Sequence, residues 1–597
     1  MSSSSDPPEV GASGLPSRWV RALGLALLAL SGAWLGALPH LEAWARTGES
    51  AYFPDTDDLL YLAWSREAVL QGAGRLVDAV HPESGPMMHP WALFIPPAWL
   101  GHLLGLDMTG IGPLWRVLAG ALIALGFFVA VRPAVPGFWL AWGLAAFLTF
   151  DPGVLSGEPL KREVLILLDW ARGGIEALEG VPRVMPHLRV VTPGLAIPFL
   201  LLHYGLVLQA RRSGSQRVAV GAAVSFGLLF YLYFYFWTVV AAGSALALVL
   251  DRAGRKLHAI TLAGGLALGL PALWDNYRTK ALTGSDWLSR TDKFVPIGHF
   301  EELLIPKWIV IGWVLTAFWV FARRRDLSYL WCCTGAGLLC LNHQLITGLQ
   351  IENFHWIQIT GLTFSLLLVL LVVPWLLERS DPLREVGQAR SDGRRSGIRG
   401  LLLALVLAQV ALGSWMRWRE AGARETRRLD QIARQLRQDD LPIPEGAMLA
   451  GDPLATALLA AQGEVYPLSG RLVEYSSLAT DEDLDERLIL NLFLSGVVVE
   501  EARRKVQEPA GSLSRESRAS RSLEIADRQA EQRLALIDQV FEDPRPLLKS
   551  RGVTHILLPE GADAVHLDGL ADQVADGNHW ELWRLSLTEA EAGAKQP

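Results

Sequence analysis

Runs of about twenty predominantly apolar residues recur along this chain, and that recurrence limits the fold more than any other feature. Inside a bilayer no water can satisfy backbone N–H and C=O groups, so such runs cross as helices whose hydrogen bonds are internal. Runs near 19–38, 113–131, 136–150, 192–209, 217–233, 236–250, 257–274, 305–322, 327–345, 356–377 and 400–416 predict about eleven crossings, with 136–150 and 236–250 the shortest. Hydrophobic residues make up 51% of the 597, which excludes an ordinary soluble domain. The net charge of −7 gives no basis for nucleic-acid binding.

Lys and Arg set the orientation. With the N-terminus in the cytoplasm, the basic groups Arg18/Arg21, Arg132, Arg211/Arg212, Arg252/Arg255/Lys256, Arg323/Arg324/Arg325 and the run Arg379 to Arg399 all fall inside. The first run is long enough to span, and no small-residue cleavage site precedes polar sequence, so it is read as an uncleaved anchor behind a disordered cytoplasmic tail, 1–17. Trp91–Leu106 is apolar as well, but counting it as a crossing reverses every later loop. Its Pro96, Pro97 and His102 suit a helix lying along the membrane surface. Long external loops then cover 39–112, 151–191 and 275–304, while the cytoplasmic turns are short and basic, so function is expected on the looped face.

The composition changes after Met416. A charged helical stretch, Arg417–Arg437, precedes a strand in Pro442–Asp452, a helix at Leu454–Ala461, a longer helix at Asp481–Val506, a polar linker Glu508–Arg521, a helix at Arg528–Phe541, and strands at Val553–Pro559 and Trp580–Leu585. The expected fold class is therefore an α-helical polytopic membrane domain, 18–416, followed by a small extracytoplasmic α/β domain, 417–597. That domain holds no glycine-rich phosphate loop and no nucleophile signature, and is expected to act as a lid or docking module. The three cysteines, Cys332, Cys333 and Cys340, share one apolar run, which argues against a disulfide framework or a zinc site.

Chemistry concentrates in the first loop, where Asp55, Asp57 and Asp58 fall within Y-F-P-D-T-D-D-L-L-Y-L-A-W. Three readings are open for them: a metal site, a hold on a hydroxyl, or a cap for the helix behind, since Asp is a favoured N-cap. One cap accounts for one Asp. The loop continues through a Gly-rich turn to G-P-M-M-H-P-W, with His89 before the surface helix. A second polar cluster, C-L-N-H-Q-L-I-T-G-L-Q-I-E-N-F-H-W, spans 340–356 and crowds Asn342, His343, Gln344, Thr347, Gln350, Glu352, Asn353 and His355 between two apolar runs. Polar groups at membrane depth are expensive and tend to be functional, although a satisfied interhelical hydrogen-bond network is the competing reading. Arg189 stands at the mouth of a span, where it meets either a phosphate or lipid head groups. Asp151, with Glu158 nearby, opens the second external loop, and an Asp-Pro turn explains it more simply than ligation.

The segment D-T-D-D-L-L-Y-L-A-W-S-R-E-A-V-L-Q-G followed by G-P-M-M-H-P-W resembles the first external loop of GT-C fold integral-membrane glycosyltransferases, a class that includes oligosaccharyltransferase catalytic subunits and transferases fed by polyprenyl-phosphate sugars. The likeness is local to roughly residues 50–95, and the N-x-Q-x-x-T-G sequence between late spans is similar to that of bacterial members. The resemblance implies an enzyme of the inner (plasma) membrane that moves a sugar from a polyprenyl-phosphate donor to a glycan, lipid or protein acceptor outside. It implies that Asp55, Asp57 or Asp58 is the catalytic base, and that Asp57 and Asp58, with Asp151 as a weaker third, hold a divalent metal such as Mg or Mn. It implies substrate contacts from His89, Arg189, His343, Gln344, Glu352 and His355. The W-W-D sequence of the oligosaccharyltransferases is missing, which disfavours protein N-glycosylation. A transporter and a non-catalytic assembly partner are the rival readings. Against the transporter, the charges gather in loops and no matched pair of broken helices is seen.

Overall fold

The computed structural model describes residues 17–48, 56–74, 76–78, 92–106, 108–161, 164–165, 168, 171–172, 194–283, 295–296, 299, 303–351, 353–379, 388–420, 424–463, 465–469, 481–507 and 520–586. Asp55, His89, Arg189 and Glu352 lie outside these residues, as does the side chain of Asp57.

The apolar runs become helices: α1 (Arg18–Thr47), then, after the first-loop helices α2 (Thr56–Leu70) and α3 (Ile95–Leu103), α4 (Met108–Val131), α5 (Phe138–Phe150), α6 (Ile197–Ser213), α7 (Gln216–Leu232), α8 (Phe234–Leu250), α9 (Arg255–Thr283), α10 (Lys307–Arg323), α11 (Ser328–Leu341), α13 (Asn353–Arg379) and α14 (Gln388–Glu420), with the single turn α12 (Gln344–Thr347) before α13. Among the described residues, four stretches are long and apolar enough to cross a membrane: Arg18–Arg46, Gly110–Val131, Arg252–Thr279 and Phe354–Leu376. The helices Phe138–Phe150, Gln216–Leu232 and Phe234–Leu250 are apolar but shorter. Their outward faces carry large apolar side chains in the open, such as Leu23, Leu27 and Leu30 on α1 and Leu315 and Phe318 on α10. Exposed apolar surface of this extent suits lipid contact. The stretch read as a surface helix forms α3, nine residues with prolines in its first turn, too short to span.

The basic turns gather at one end of the bundle. Arg212 Nη1 donates to the Pro133 carbonyl, Arg324 Nη2 donates to Ala134 O at 3.1 Å and its Nη1 to Leu370 O at 3.0 Å. Arg211 forms a bidentate pair with Asp251 at 2.5 and 2.7 Å, and Ser328 donates to the same carboxylate at 3.2 Å. These helix ends are separated in sequence and meet in space.

Helices α1 and α4 approach closely through glycines. A Cβ on Gly32 would run into the carbonyl of Gly120, and one on Gly36 into the carbonyl of Arg116. Small residues four apart let helix backbones touch in this way, where packing rather than water drives association. This contact fixes Arg116 against α1.

Past α14 the chain forms α15 (Arg424–Asp439) and a five-stranded sheet in the order β4 (Tyr466–Pro467), β3 (Met448–Gly451), β5 (His555–Pro559), β7 (Trp580–Leu585), β6 (Ala571–Asp576). β3 pairs in parallel with β4 and β5, while β7 pairs antiparallel with β5 and β6. Helix α16 (Pro453–Gln462) joins β3 to β4, and α17 (Asp481–Leu494), α18 (Val499–Gln507), α19 (Ser520–Glu542) and α20 (Arg545–Arg551) lie between β4 and β5. The long helix expected over Asp481–Val506 is two, broken at Gly496, whose φ of +73° ends α17. The composition change at 416/417 falls inside α14, which runs unbroken past it.

Asp439, at the end of α15, closes the hairpin between β6 and β7. Its carboxylate accepts from the N–H groups of Asn578, His579 and Trp580 at 3.1, 2.9 and 2.8 Å and lies 3.0 Å from His579 Nδ1. Burial works against its charge, but these four bonds outweigh it and hold the carboxyl below its ordinary value. A carboxyl with a depressed folded pKa adds stability that is present above its unfolded value of about 3.9 and is lost as pH falls through the folded value. Asp439→Asn is therefore expected to lower stability at neutral pH and to flatten the acid limb below about pH 4, read by tryptophan-fluorescence unfolding. Gly36→Leu is expected to cost about 1–3 kcal/mol by overpacking α1 on α4, seen as a lower melting midpoint in detergent, whereas Leu27→Ala on the open face leaves it unchanged.

Candidate functional site

Helix α2 is the element that carries the acidic cluster. Leu59, Leu60, Leu62, Ala63, Trp64 and Ala68 are all buried, so apolar contact surrounds it on several sides. Tyr61 packs on Phe94 with ring centroids 4.9 Å apart, and Phe94 meets Trp115 of α4 edge-on at 6.2 Å. These contacts seat α2 across α3 and α4.

At its first turn, the Asp58 carboxylate accepts from Arg116 Nη2 at 2.6 Å. Arg116 is 1% exposed and Asp58 5%. The other arm of the guanidinium, Nη1, lies 3.0 Å from His40 Nε2 on α1. Arginine only donates, so His40 accepts at Nε2 and carries its proton on Nδ1. Asp58, Arg116 and His40 thus join α2, α4 and α1. A buried guanidinium needs such partners, because removing one leaves an uncompensated charge. Arg116 lies sixteen residues before Arg132, about 24 Å along a helix, so this cluster stands at the end of the bundle away from the basic turns.

The second cluster is at that same end. Leu370 of α13 touches the basic end through Arg324, and His355 lies fifteen residues earlier, about 22 Å away along the axis. There Tyr233 interrupts the helix between α7 and α8 with extended backbone angles, φ −161° and ψ 120°. Its hydroxyl is 2.6 Å from His355 Nδ1. Tyr235 lies 4.5 Å from the His355 ring and 5.0 Å from Trp356, and His343 lies 4.5 Å from Trp356. Asn342 is a clamp: its Oδ1 accepts from Leu304 N at 2.9 Å, and its Nδ2 donates to Leu304 O and Leu338 O. A two-residue pairing of β1 (Val295–Pro296) with β2 (Leu349–Gln350) ties the third external loop to the same turn. Much of the polarity seen in sequence is therefore satisfied interhelical bonding. His343 is held at Nδ1 by Cys340 O at 2.9 Å, while its buried Nε2 has no hydrogen-bond partner among the described residues. Gln344 is fully buried.

The structure thus brings Asp58 and the 342–356 turn to one end of the bundle. It spends Asp151 on its own turn: Oδ1 accepts from Gly153 N at 2.7 Å and Oδ2 from Leu160 N at 3.2 Å. Among the described residues no group of three or more His, Cys, Asp or Glu side chains comes together. Asp58 is engaged by an arginine and Asp151 by backbone N–H groups of its own turn.

Two features escaped the sequence reading. Arg116 looked like one charge in an apolar run; its depth in the span was the signal. The run Y-L-Y-F-Y-F-W over 231–237, a dense aromatic stretch between two spans, supplies half of the second cluster. A third network lies within the bundle, where His203 Nε2 is 2.7 Å from the Tyr329 hydroxyl, itself 3.0 Å from Ser244 Oγ.

No family model matches the chain and no curated protein matches it. Among solved structures, the chain is similar over 96% of its length to ArnT from Cupriavidus metallidurans bound to undecaprenyl phosphate, with 12% identity, 98% of that chain covered and a TM-score of 0.46. It is similar over 96% of its length to the arabinofuranosyltransferase AftD from Mycobacteria, with 14% identity and a TM-score of 0.42, and spans 40% of that chain. Likenesses of this size do not assign an activity.

Arg116→Met is expected to destabilise the protein by roughly 3–5 kcal/mol, because it strands the Asp58 carboxylate. Asp58→Leu combined with Arg116→Met is expected to recover at least half of the loss in detergent melting, since an apolar pair replaces the ions. Equal loss in the single and double variants contradicts the pairing.

Proposed function

We propose that this chain is a membrane glycosyltransferase of GT-C type that takes a sugar from a polyprenyl-phosphate carrier on the extracytoplasmic side. The observation that carries the reading is a carboxylate-bearing helix, α2, anchored by an intramembrane arginine at the end of the bundle opposite the basic turns. The first-loop sequence resemblance agrees with it.

The reaction joins an acceptor hydroxyl to the anomeric carbon. The acceptor O–H loses its proton, the new C–O bond forms, and the bond from that carbon to the phosphate oxygen breaks, leaving the charge on phosphate. A carboxylate is needed to take the proton. The Asp58 carboxylate is engaged by Arg116, so the role passes to Asp57, one position earlier on α2, about 100° round the helix. Asp55 remains the alternative base. Arg189 and the 342–355 turn, with His343, Gln344, Glu352 and His355, receive the donor head group, and His89 is a further substrate contact. No step is routed through a metal.

The second reading is a non-catalytic assembly partner, in which the Asp58–Arg116 pair is purely structural. Membranes carrying Asp57→Asn decide between them. Transfer from a radiolabelled polyprenyl-phosphate sugar is expected to fall at least about a hundredfold, the usual weight of a general base. Full transfer in both Asp57→Asn and Asp55→Asn removes the assignment.

A further inference from the structure

The helix that carries the acidic cluster is gripped twice. Arg116 holds its first turn from the membrane bundle, at 2.6 Å from Asp58. About two turns later, Arg66 Nη1 donates to the carbonyl of Ala460 at 2.5 Å. Ala460 is in the last turn of α16, where unpaired carbonyls and the helix dipole both attract a cation. Arg66 is 4% exposed, and its Nη2 lies 3.4 Å from Glu67 Oε2. Glu67 is in turn bonded to Gln71 at 2.6 Å. Tyr466 of β4 lies close enough to feel the charge of both Glu67 and Arg66. Nearby, Asp78, fully buried just past α2, acts electrostatically on Arg487 of α17. The apolar core is continuous across this junction: Leu59 and Trp64 of α2 share one cluster with Ala455, Leu458 and Ala461 of α16 and Leu449 of β3.

We propose that Arg66 is a positioning residue through which the C-terminal domain sets the placement of the α2 carboxylates. A lid would meet the site through an exposed, polar, separable contact. This junction is the reverse, with buried cations, a shared core and a side chain that reaches across to a backbone carbonyl. The C-terminal domain forms a fixed wall of the site, and a shift of α16 reaches Asp57 and Asp58 along one rigid helix. The consequence for turnover rests on the transferase reading above. The mechanical coupling does not.

The test is amide hydrogen exchange on the full chain in nanodiscs, comparing wild type with Arg66→Ala and Arg66→Lys. In Arg66→Ala, exchange is expected to quicken by about tenfold or more over both 56–70 and 453–462 and to stay unchanged over 216–250, the sign of local rather than global opening. Arg66→Lys keeps a donor and is expected to restore part of the protection; it also serves as the readable variant if the alanine protein does not fold. Faster exchange confined to 453–462, or no change in either segment, overturns the proposal. Where transfer is measurable, Arg66→Ala is expected to lower kcat about tenfold with the donor KM within about twofold, and Arg66→Lys to recover part of kcat. Coupled exchange in a wild-type protein that transfers nothing removes the assigned reaction and leaves the coupling in place.

Discussion

The bond between Arg116 and Asp58 is the constraint on which the rest of the described site depends. A guanidinium this deep in an apolar helix is stable only with its hydrogen-bonding arms engaged. Asp58 takes one arm and His40 takes another, so three helices are fixed relative to one another by a single side chain. The glycine contact between α1 and α4 makes this possible, since a Cβ at Gly36 would push Arg116 away from α1. Packing brings the helices close, and the charge sets their register.

Much of the helix layout was legible in the sequence because a bilayer leaves the backbone little choice. The alternation of basic turns was legible for a related reason, and contacts such as Arg212 to Pro133 and Arg324 to Ala134 show those turns side by side. The acidic cluster was legible as chemistry but not as geometry. Asp58 stands out in D-T-D-D, yet its partner lies 58 positions further on, and no local pattern links them. The polar turn after Cys340 was legible as unusual. Sequence left open whether its side chains bind a ligand or each other; Asn342 turns out to clamp Leu304.

The C-terminal sheet was only partly readable. β3 and β5 are short buried apolar strands with clear limits. β4 is two residues long and owes its existence to the helix that returns beside β3. β6, A-D-Q-V-A-D, is polar and largely exposed, and no alternation marks it as a strand. It forms because β7 offers an open edge and Asp439 fixes the turn between them. Tertiary context of this kind overrides local propensity.

The unbroken apolar core that joins α2 to α16 and β3 has a consequence for how the protein comes apart. A boundary drawn where composition shifts, near 416/417, falls within one helix and across a shared apolar core. Cleaving there would leave each fragment with a raw hydrophobic face that belongs to the other, and the buried Arg66 without its Ala460 acceptor. The bundle and the sheet region are therefore expected to come apart together, as one cooperative body.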